Sequence, residues 1–588
     1  MLFALPPSFH FYSSQQGLLS PELTGRSWGV FLQPGMDDRE QLTGAGSAAW
    51  TRGCCVPVVI REEVRQLFLL AGPLVLTQVM NYTLNFISSA FSGHLGKCEL
   101  GAISLAASMI SVTGVAVGTG LFMACDTLIS QMYGSKKLKR IGVVIQRAIL
   151  ILMIFLCPCW AIFINTEKIL LAAKQDPEVA RLCQLYVKIF IPALPAVFLY
   201  QIQVRYLQNQ GIIMPQILTG LVANILSVIM NYIFLMVLKL GVLGSACANL
   251  IAQYCQIIVL FVYIRWRRLY LHTWGGWTVD CLQEWGPFLQ LAIPCMVMFC
   301  IELWAYEVGS FLAGLIDQVQ LGAQAVIFQF LTILYMIHVG IGMAAGVRVG
   351  VALGAGLPQQ AKLSTMTALV CTGCVALLLM AFLLLLKDVI PKIFTNDQQI
   401  IDLVSSIIPI LAPFHLCDAI GTGVASGIIR GIGMQKVGAI ANLVVFYVIG
   451  IPVGISLMFA AKLGILGLWV GLAISTFLLS VFALTVIFRM DWTAAVEEAR
   501  ERTGLQMRLG PDTAAELHTA DSGATGDTSG LSQSPEETAQ PVGSPLVVRG
   551  SLSEGTLSPA QLIVRRGLLV LGALATLAVG IVVRFNEP

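Results

Sequence analysis

The chain has 588 residues, of which 57% are hydrophobic and only 11% are charged, and its mean hydropathy is +0.81. Water cannot solvate so apolar a surface, so this composition excludes an ordinary soluble protein and indicates an integral membrane protein. The formal net charge of +3 and the absence of dense Lys/Arg runs give no indication of a nucleic-acid partner.

The first segment, residues 1–60, is polar and rich in glycine, and we expect a flexible cytoplasmic leader. Pro6 and Pro7 interrupt a short apolar run near Met1, so we do not expect a cleavable signal peptide. Met36, which is followed by DDREQL, is an alternative start of translation.

Twelve apolar segments follow, each with the roughly 20 residues that a membrane-spanning helix needs. Backbone groups in lipid must be paired within their own segment, and no alternating strand pattern is present, so we predict an all-α membrane protein. The predicted spans are about 67–89, 100–125, 141–164, 182–207, 213–238, 242–264, 287–313, 321–347, 363–386, 401–428, 438–460 and 463–488.

The two halves of this region repeat each other at an offset of about 221 residues. LAGPLVL at 70–76 is repeated as LAIPCMV at 291–297, and KLGVLGSACANL at 239–250 as KLGILGLWVGLA at 462–473. Six spans per half is an even number, so we predict two six-helix bundles that are parallel repeats, with a pseudo-two-fold axis along the membrane normal. The predicted N-lobe and C-lobe are residues 61–278 and 279–490.

After the second lobe, residues 491–563 are rich in Ser, Thr, Gly, Pro and Glu, which predicts a disordered cytoplasmic tail. The apolar run in residues 564–588 predicts a terminal transmembrane helix. Loop lysines and arginines are enriched on the side of the N-terminus, which is therefore predicted to be cytoplasmic and the C-terminus extracellular.

Two lobes that face each other across a cleft are the architecture of a transporter. The chain has no GxxxxGK[ST] motif, so an ion gradient must supply the energy, and we expect no enzyme activity and no cofactor. Most of the 15 cysteines lie inside apolar segments, where free cysteine acts as a small hydrophobe, so neither a disulfide framework nor a metal site is indicated.

The predicted seventh span contains two acids, Glu302 and Glu307. A charge in the middle of a membrane costs about 2.5–3.5 kcal/mol on insertion scales, so each acid is a functional candidate. Pro294 precedes them and predicts a bend in the helix. Pro73 occupies the same position in the first repeat, where the polar residues Gln78 and Asn81 are candidate substrate-binding residues.

Desolvation penalises a charged carboxyl group, so an acid in this cleft can hold a proton in one state and a cation in another. The alternative for Glu302 is a helix–helix hydrogen bond or a neutral acid. In the tenth span His415 and Asp418 share a face, which suits either proton relay or a satisfied buried pair. Asp126 either anchors a gate or is a helix-end charge. The aromatic candidates for binding a cation, each of which can equally belong to packing, are Trp304, Tyr306 and Tyr335.

Several motifs resemble those of vertebrate multidrug and toxin extrusion (MATE) transporters, the proton/organic-cation exchangers of kidney and liver. They are HLGKCEL, ACDTLISQMYGS, FIPALPAVFLY, TWGGW, WAYEVGSFL, VRVGVALGAG and QKVGAIAN. The resemblance covers about residues 61–490, the tail and the terminal span. It implies a V-shaped pair of lobes open to the outside, electroneutral proton exchange and an apical plasma membrane.

The family's acids in the seventh span fall on Glu302 and Glu307, and its tenth-span glutamate falls on Asp418. Its eighth-span acid falls on Gln329, which cannot titrate, so the resemblance implies one negative charge fewer in the cleft. We therefore expect a monomeric antiporter that exchanges protons for organic cations across a lipid bilayer. A flippase for lipid-linked substrates is the alternative, although it should show a basic cleft. An integral membrane enzyme would require a catalytic cluster such as HExxH, and a channel a continuous polar pore.

Overall fold

The computed structural model of the chain describes residues 58–93, 95–504 and 559–585. Most of the predicted leader and most of the predicted tail lie outside these residues. Every regular element in the described ranges is helical, which confirms the predicted all-α fold.

The long helices follow the order of the predicted spans, with one helix before and one helix after the undescribed segment of the tail. They are α1 (Val58–Ser92), α2 (Cys98–Gly134), α3 (Leu138–Ile164), α4 (Pro177–Phe190 and Ala193–Gln208), α5 (Met214–Val237), α6 (Gly241–Trp266), α7 (Trp285–Gly314), α8 (Gln318–Gly354), α9 (Pro358–Leu385), α10 (Gln398–Ile432), α11 (Gln435–Ala460), α12 (Ile465–Phe488), α13 (Trp492–Thr503) and α14 (Pro559–Phe585).

Twelve of the described helices are long and apolar enough to cross a membrane, and α4 becomes a thirteenth if its two parts form one span. The two parts of α4 are bent by 52° relative to each other. The break lies at Ile191 and Pro192, and proline interrupts a helix because it lacks the backbone N–H and its ring crowds the preceding turn. The predicted span at about 182–207 is therefore a broken helix.

Helices α1–α6 and α7–α12 form the two predicted lobes, and each lobe has an apolar core. The N-lobe core contains the buried rings of Phe163 and Phe198, and the C-lobe core contains those of Trp469 and Phe446. Many large apolar side chains face away from these cores, and Leu378 on α9 is 72% exposed. Such a surface suits helices surrounded by hydrocarbon.

The lobes pack tightly where α1 begins and where α2, α8 and α10 end. Glu63 of α1 is 5% exposed and accepts hydrogen bonds of 2.9 and 2.6 Å from Arg348 of α8. Gly354 of α8 lies so close to α2 that an added Cβ would overlap the carbonyl oxygen of Gln131. We call this region, defined by these four residues, the closed end. It is the end that the charge distribution predicts to be cytoplasmic.

The segment after α12 differs from the prediction, because residues assigned to a disordered tail fold into α13. Asp491 caps this helix by accepting hydrogen bonds from the backbone N–H groups of Thr493 and Ala494 at 2.9 and 3.3 Å. Trp492 and Val496 are buried in an apolar cluster with residues of α8 and α9. The low overall hydrophobicity of this segment predicted disorder, but its apolar residues recur at helical spacing and form one face of an amphipathic helix.

The terminal helix α14 packs along α3 of the N-lobe. The side-chain amide of Asn165 donates a 2.7 Å hydrogen bond to the carbonyl of Gly580. Arg584 forms a 2.9 Å ion pair with Glu167 at the same end. Helix α14 begins at Pro559, a few residues before the predicted start, and these contacts hold it against one lobe.

Candidate functional site

A cavity of about 380 Å³ lies between the lobes near the middle of the bundle. Helices α1, α2 and α4 of the N-lobe line one side, and α7, α8, α10 and α12 of the C-lobe line the other. A site built by both lobes changes shape whenever the lobes move relative to each other, so it can be exposed to each side of the membrane in turn.

Glu302 lines this cavity from the middle of α7. Its Oε1 atom accepts a 2.9 Å hydrogen bond from the hydroxyl group of Tyr335 on α8. Met298 and Tyr306 lie four residues before and after Glu302, so they share its face of the helix and also line the cavity. The structure therefore brings together three residues that the sequence predicted as candidates for the site, namely Glu302, Tyr306 and Tyr335.

Asp418 and His415 line the cavity from α10, one turn apart. The hydroxyl group of Thr422 donates a 2.6 Å hydrogen bond to Oδ1 of Asp418. A π-helical segment, Ala419–Ala425, begins directly after Asp418. Such segments interrupt regular helix geometry and are frequent at functional sites. Glu302 and Asp418 are thus both available to the same cavity.

His338 of α8 is a second histidine near the cavity, and it was not among the residues predicted from the sequence. Its ring lies 4.8 Å from that of His415, centroid to centroid, at an interplanar angle of 72°. Both nitrogens of His338 and Nε2 of His415 are buried without a hydrogen-bond partner in the described part of the chain. His338 follows Tyr335 by three residues, so helical spacing was the signal that could have found it.

Several aromatic side chains line the cavity, and their rings offer negative faces to a cation. Tyr306 and Tyr335 were expected there, and the rings that were not predicted are Tyr82, Phe122, Phe299, Phe328, Phe414 and Trp469. Trp304 does not line the cavity. It is 39% exposed, and its indole N–H donates a 3.3 Å hydrogen bond across the lobes to the carbonyl of Val112.

The remaining sequence candidates divide by helix. Gln78 and Asn81 of α1 line the cavity opposite the acids. Glu307 and Gln329 are not among the lining residues. Glu307 lies five residues after Glu302, so its side chain leaves α7 about 140° further around the helix. The effect that the absent acid at Gln329 has on the cavity stays a prediction.

The two candidate kink residues, Pro73 and Pro294, lie inside continuous helices.

An ion-pair cluster forms the floor of the cavity towards the closed end. Asp126 of α2 lies 3.3 Å from Arg205 of α4 and 4.0 Å from Arg430 of α10. The side-chain amide of Asn209 donates a further 3.2 Å hydrogen bond to Asp126. Both arginines also line the cavity. Asp126 thus joins the N-lobe to the C-lobe. Of the two interpretations of this residue, the contact favours a gate anchor over a helix-end charge.

Comparison with known proteins gives a consistent family. The profile of the MatE family matches residues 73–233 and 294–456, one segment in each lobe. Multidrug and toxin extrusion protein 1 of Danio rerio is 49% identical over 539 residues, which cover 90% of this chain and 91% of the fish protein. Multidrug and toxin extrusion protein 2 of Mus musculus is 53% identical over 455 residues, or 77% of this chain and 79% of the mouse protein.

Among solved structures, the crystal structure of the eukaryotic MATE transporter AtDTX14 superposes with a TM-score of 0.72 at 29% sequence identity. The match covers 76% of this chain and 99% of that one. The second profile match begins at residue 294, which is reached from residue 73 by adding the repeat offset of about 221 residues. The internal repeat therefore coincides with the two family segments.

Proposed function

The chain belongs to the MatE family of multidrug and toxin extrusion transporters, and we propose that it exports organic cations in exchange for protons. The observation that carries this proposal is that Glu302 and Asp418 line one aromatic cavity between the two lobes. A carboxylate in a poorly solvated cavity attracts either a proton or a cation, and each ligand weakens the binding of the other. Competition for one acidic site is sufficient for exchange.

The contacts around Glu302 favour an organic cation as the second ligand. The rings of Tyr306, Tyr335 and Trp469 supply apolar surface and negative faces on the C-lobe side, and Asn81 supplies an amide on the N-lobe side. A cation with hydrocarbon groups would bury those groups against the rings while its charge approached Glu302. A small hydrated ion would make few contacts with these apolar rings.

The closed end supplies the second requirement of alternating access. Glu63–Arg348 and the Asp126 cluster bridge the lobes on one side of the cavity. These bridges must separate before the cavity can open towards that side. A proton gradient supplies about 1.36 kcal/mol per pH unit for each proton that moves, and in the proposed scheme this free energy drives the cycle in which the bridges open and close.

The flippase alternative requires a basic cavity for a phosphate headgroup, and two acids occupy the middle of this one. Arg205 and Arg430 at its floor share Asp126, which offsets part of their charge. We further propose a monomer in the apical plasma membrane, with a cytoplasmic N-terminus and, because α14 adds a span, an extracellular C-terminus. The proposed exchange requires no cofactor, because the proton gradient supplies the energy.

The test is uptake of labelled tetraethylammonium into proteoliposomes under imposed pH gradients. We expect uptake when the interior is acidic and a return to the background rate when the gradient is collapsed. Glu302→Gln should remove the response, whereas Asp402→Asn, which changes an exposed acid outside the cavity lining, should keep it. Glu307→Gln in the same assay shows whether an acid outside the lining contributes. Gradient-independent uptake by the wild type would overturn the proposal.

A further inference from the structure

A second cavity, of about 330 Å³, lies between the lobes at the closed end of the bundle. In the described part of the chain, it shares no lining residue with the cavity that holds Glu302. Three cationic side chains line it: Arg147 of α3 in the N-lobe, Lys436 of α11 in the C-lobe and Arg502 of α13. We call it the basic cavity. Among the described residues, Glu284, directly before α7, is the one acid in its lining.

Arg147 is the most constrained of these cations. Its residue is 5% exposed, and one terminal nitrogen lies 3.2 Å from Glu284 and 3.4 Å from the carbonyl of Asp280. Its Nε atom is buried and has no hydrogen-bond partner in the described part of the chain. A buried donor without an acceptor is unfavourable, and a guanidinium group offers its donors in a planar fork that suits phosphate and carboxylate oxygens.

Two helices begin at the basic cavity, which adds to its positive potential. Helix α7 starts after Glu284 and α11 starts after Met434, and neither start is capped by a side chain. The carboxylate of Glu284 is engaged with Arg147 instead. Uncapped helix N-termini present backbone N–H groups and the positive end of the helix dipole, an arrangement that binds anions.

We propose that the basic cavity is a binding site for a phosphate group, held between the lobes by Arg147, Lys436 and the starts of α7 and α11. Arg147 and Lys436 belong to different lobes, so the bound group bridges them. The cavity also has an apolar wall that includes Met132, Phe288 and Met434. A phosphate group that carries acyl chains, as in an anionic phospholipid, would use both the charged and the apolar lining.

A bridging ligand favours the state in which the lobes are closed at this end, because opening would separate its two sets of contacts. Its effect on exchange rests on the proposed function, but its binding does not. Binding is therefore measured on the detergent-solubilised full chain, without transport.

The experiment is thermal unfolding in the presence of three separate probes: inorganic phosphate, short-chain phosphatidylserine and, as the zwitterionic reference, short-chain phosphatidylcholine. Chloride at equal ionic strength controls for screening. We expect phosphate, phosphatidylserine or both to raise the melting temperature well beyond the two references. A response to phosphatidylserine alone identifies a lipid as the source, and a response to phosphate alone identifies a soluble anion.

Lys436→Gln is the test variant, because Lys436 is exposed and its loss should leave the fold intact. Lys362→Gln, an exposed lysine outside the cavity, is the matched control. We expect Lys436→Gln to require roughly tenfold more ligand for the same shift, and Lys362→Gln to match the wild type. Equal responses of the two variants, or no response of the wild type to either anionic probe, would overturn the proposal.

Discussion

The hydroxyl group of Tyr335 on α8 donates a 2.9 Å hydrogen bond to the carboxyl group of Glu302 on α7. Both residues belong to the C-lobe, so this bond can persist while the lobes move relative to each other. The bond fixes the carboxylate towards the cavity, where a cation can reach it. Because Tyr335 is a donor, the bond favours the charged form of Glu302 over the protonated form.

Tyr335→Phe should therefore weaken cation binding at neutral pH. Hydrogen bonds to charged groups contribute about 1.5–3 kcal/mol, which corresponds to roughly tenfold or more in the apparent affinity for tetraethylammonium. The loss should diminish as the pH rises, since alkaline solution removes the competing proton. The measurement is concentration dependence of uptake over a pH series. Tyr306→Phe, a ring in the same cavity, is the control, and identical behaviour of the two variants would contradict this role for Tyr335.

Glu63→Gln should loosen the closed end. The substitution leaves Arg348, whose side chain is 10% exposed, without its carboxylate partner, and breaking a buried pair in this way costs about 3–5 kcal/mol. We expect a lower melting temperature and greater accessibility of cysteines introduced at the closed end. Glu62→Gln, which changes the exposed neighbour of Glu63, should alter neither quantity. An unchanged melting temperature for Glu63→Gln would show that the pair contributes little.

Gly354→Ala should prevent the lobes from closing fully. An added Cβ at this position meets the backbone of Gln131 on the opposite lobe, and backbone atoms cannot move aside as a side-chain end can. Overpacking of this kind typically costs about 1–3 kcal/mol. The expected result is slower exchange with near-normal cation affinity. Gly373→Ala is the control and should exchange at the wild-type rate, because a Cβ there meets no atom of another described element within 4 Å.

Lys137→Gln should weaken the contact between α13 and the N-lobe, although Arg140 keeps its own 2.9 Å hydrogen bond to the carbonyl of Thr503. The ammonium group of Lys137 donates hydrogen bonds of 3.0 and 2.8 Å to the carbonyls of Thr503 and Gly504 at the end of this helix. Lysine at a helix C-terminus also interacts favourably with the helix dipole. Hydrogen exchange of residues 492–503 should accelerate in this variant and stay unchanged in Lys139→Gln, whose side chain is exposed. Equal hydrogen exchange in both variants would show that Lys137 does not hold α13 against the N-lobe.

The sequence predicted the spans and the two lobes because each depends on local information. Apolar segments and the repeat offset are visible one residue after another, as are single acids such as Glu302 and Asp418 inside apolar runs. Helix α13 was missed because its composition resembles that of a solvated tail. Its buried face becomes visible only when Trp492 and Val496 are placed at helical spacing.

The lining of the cavity was less predictable, since it depends on how helices pack. Arg205, Arg430 and Trp469 come from three helices far apart in sequence, and no motif joins them. Glu307 was a candidate because it lies inside an apolar run, and Gln329 was one because of the family resemblance. The helices of both residues reach the cavity, but their side chains do not line it. The rotation of each helix about its own axis decides which side chains face the cavity. A sequence shows which residues share a face of one helix, but it does not show which face points towards the cavity.

The most direct test of the central claim is the number of protons released when a cation binds. Purified protein in weakly buffered solution is mixed with tetraethylammonium, and a pH-sensitive dye reports the release. The account predicts that the wild type releases protons on binding and that Glu302→Gln releases fewer protons per cation bound. If the wild type binds tetraethylammonium without releasing protons, or if Glu302→Gln releases as many, proton and cation do not compete at Glu302.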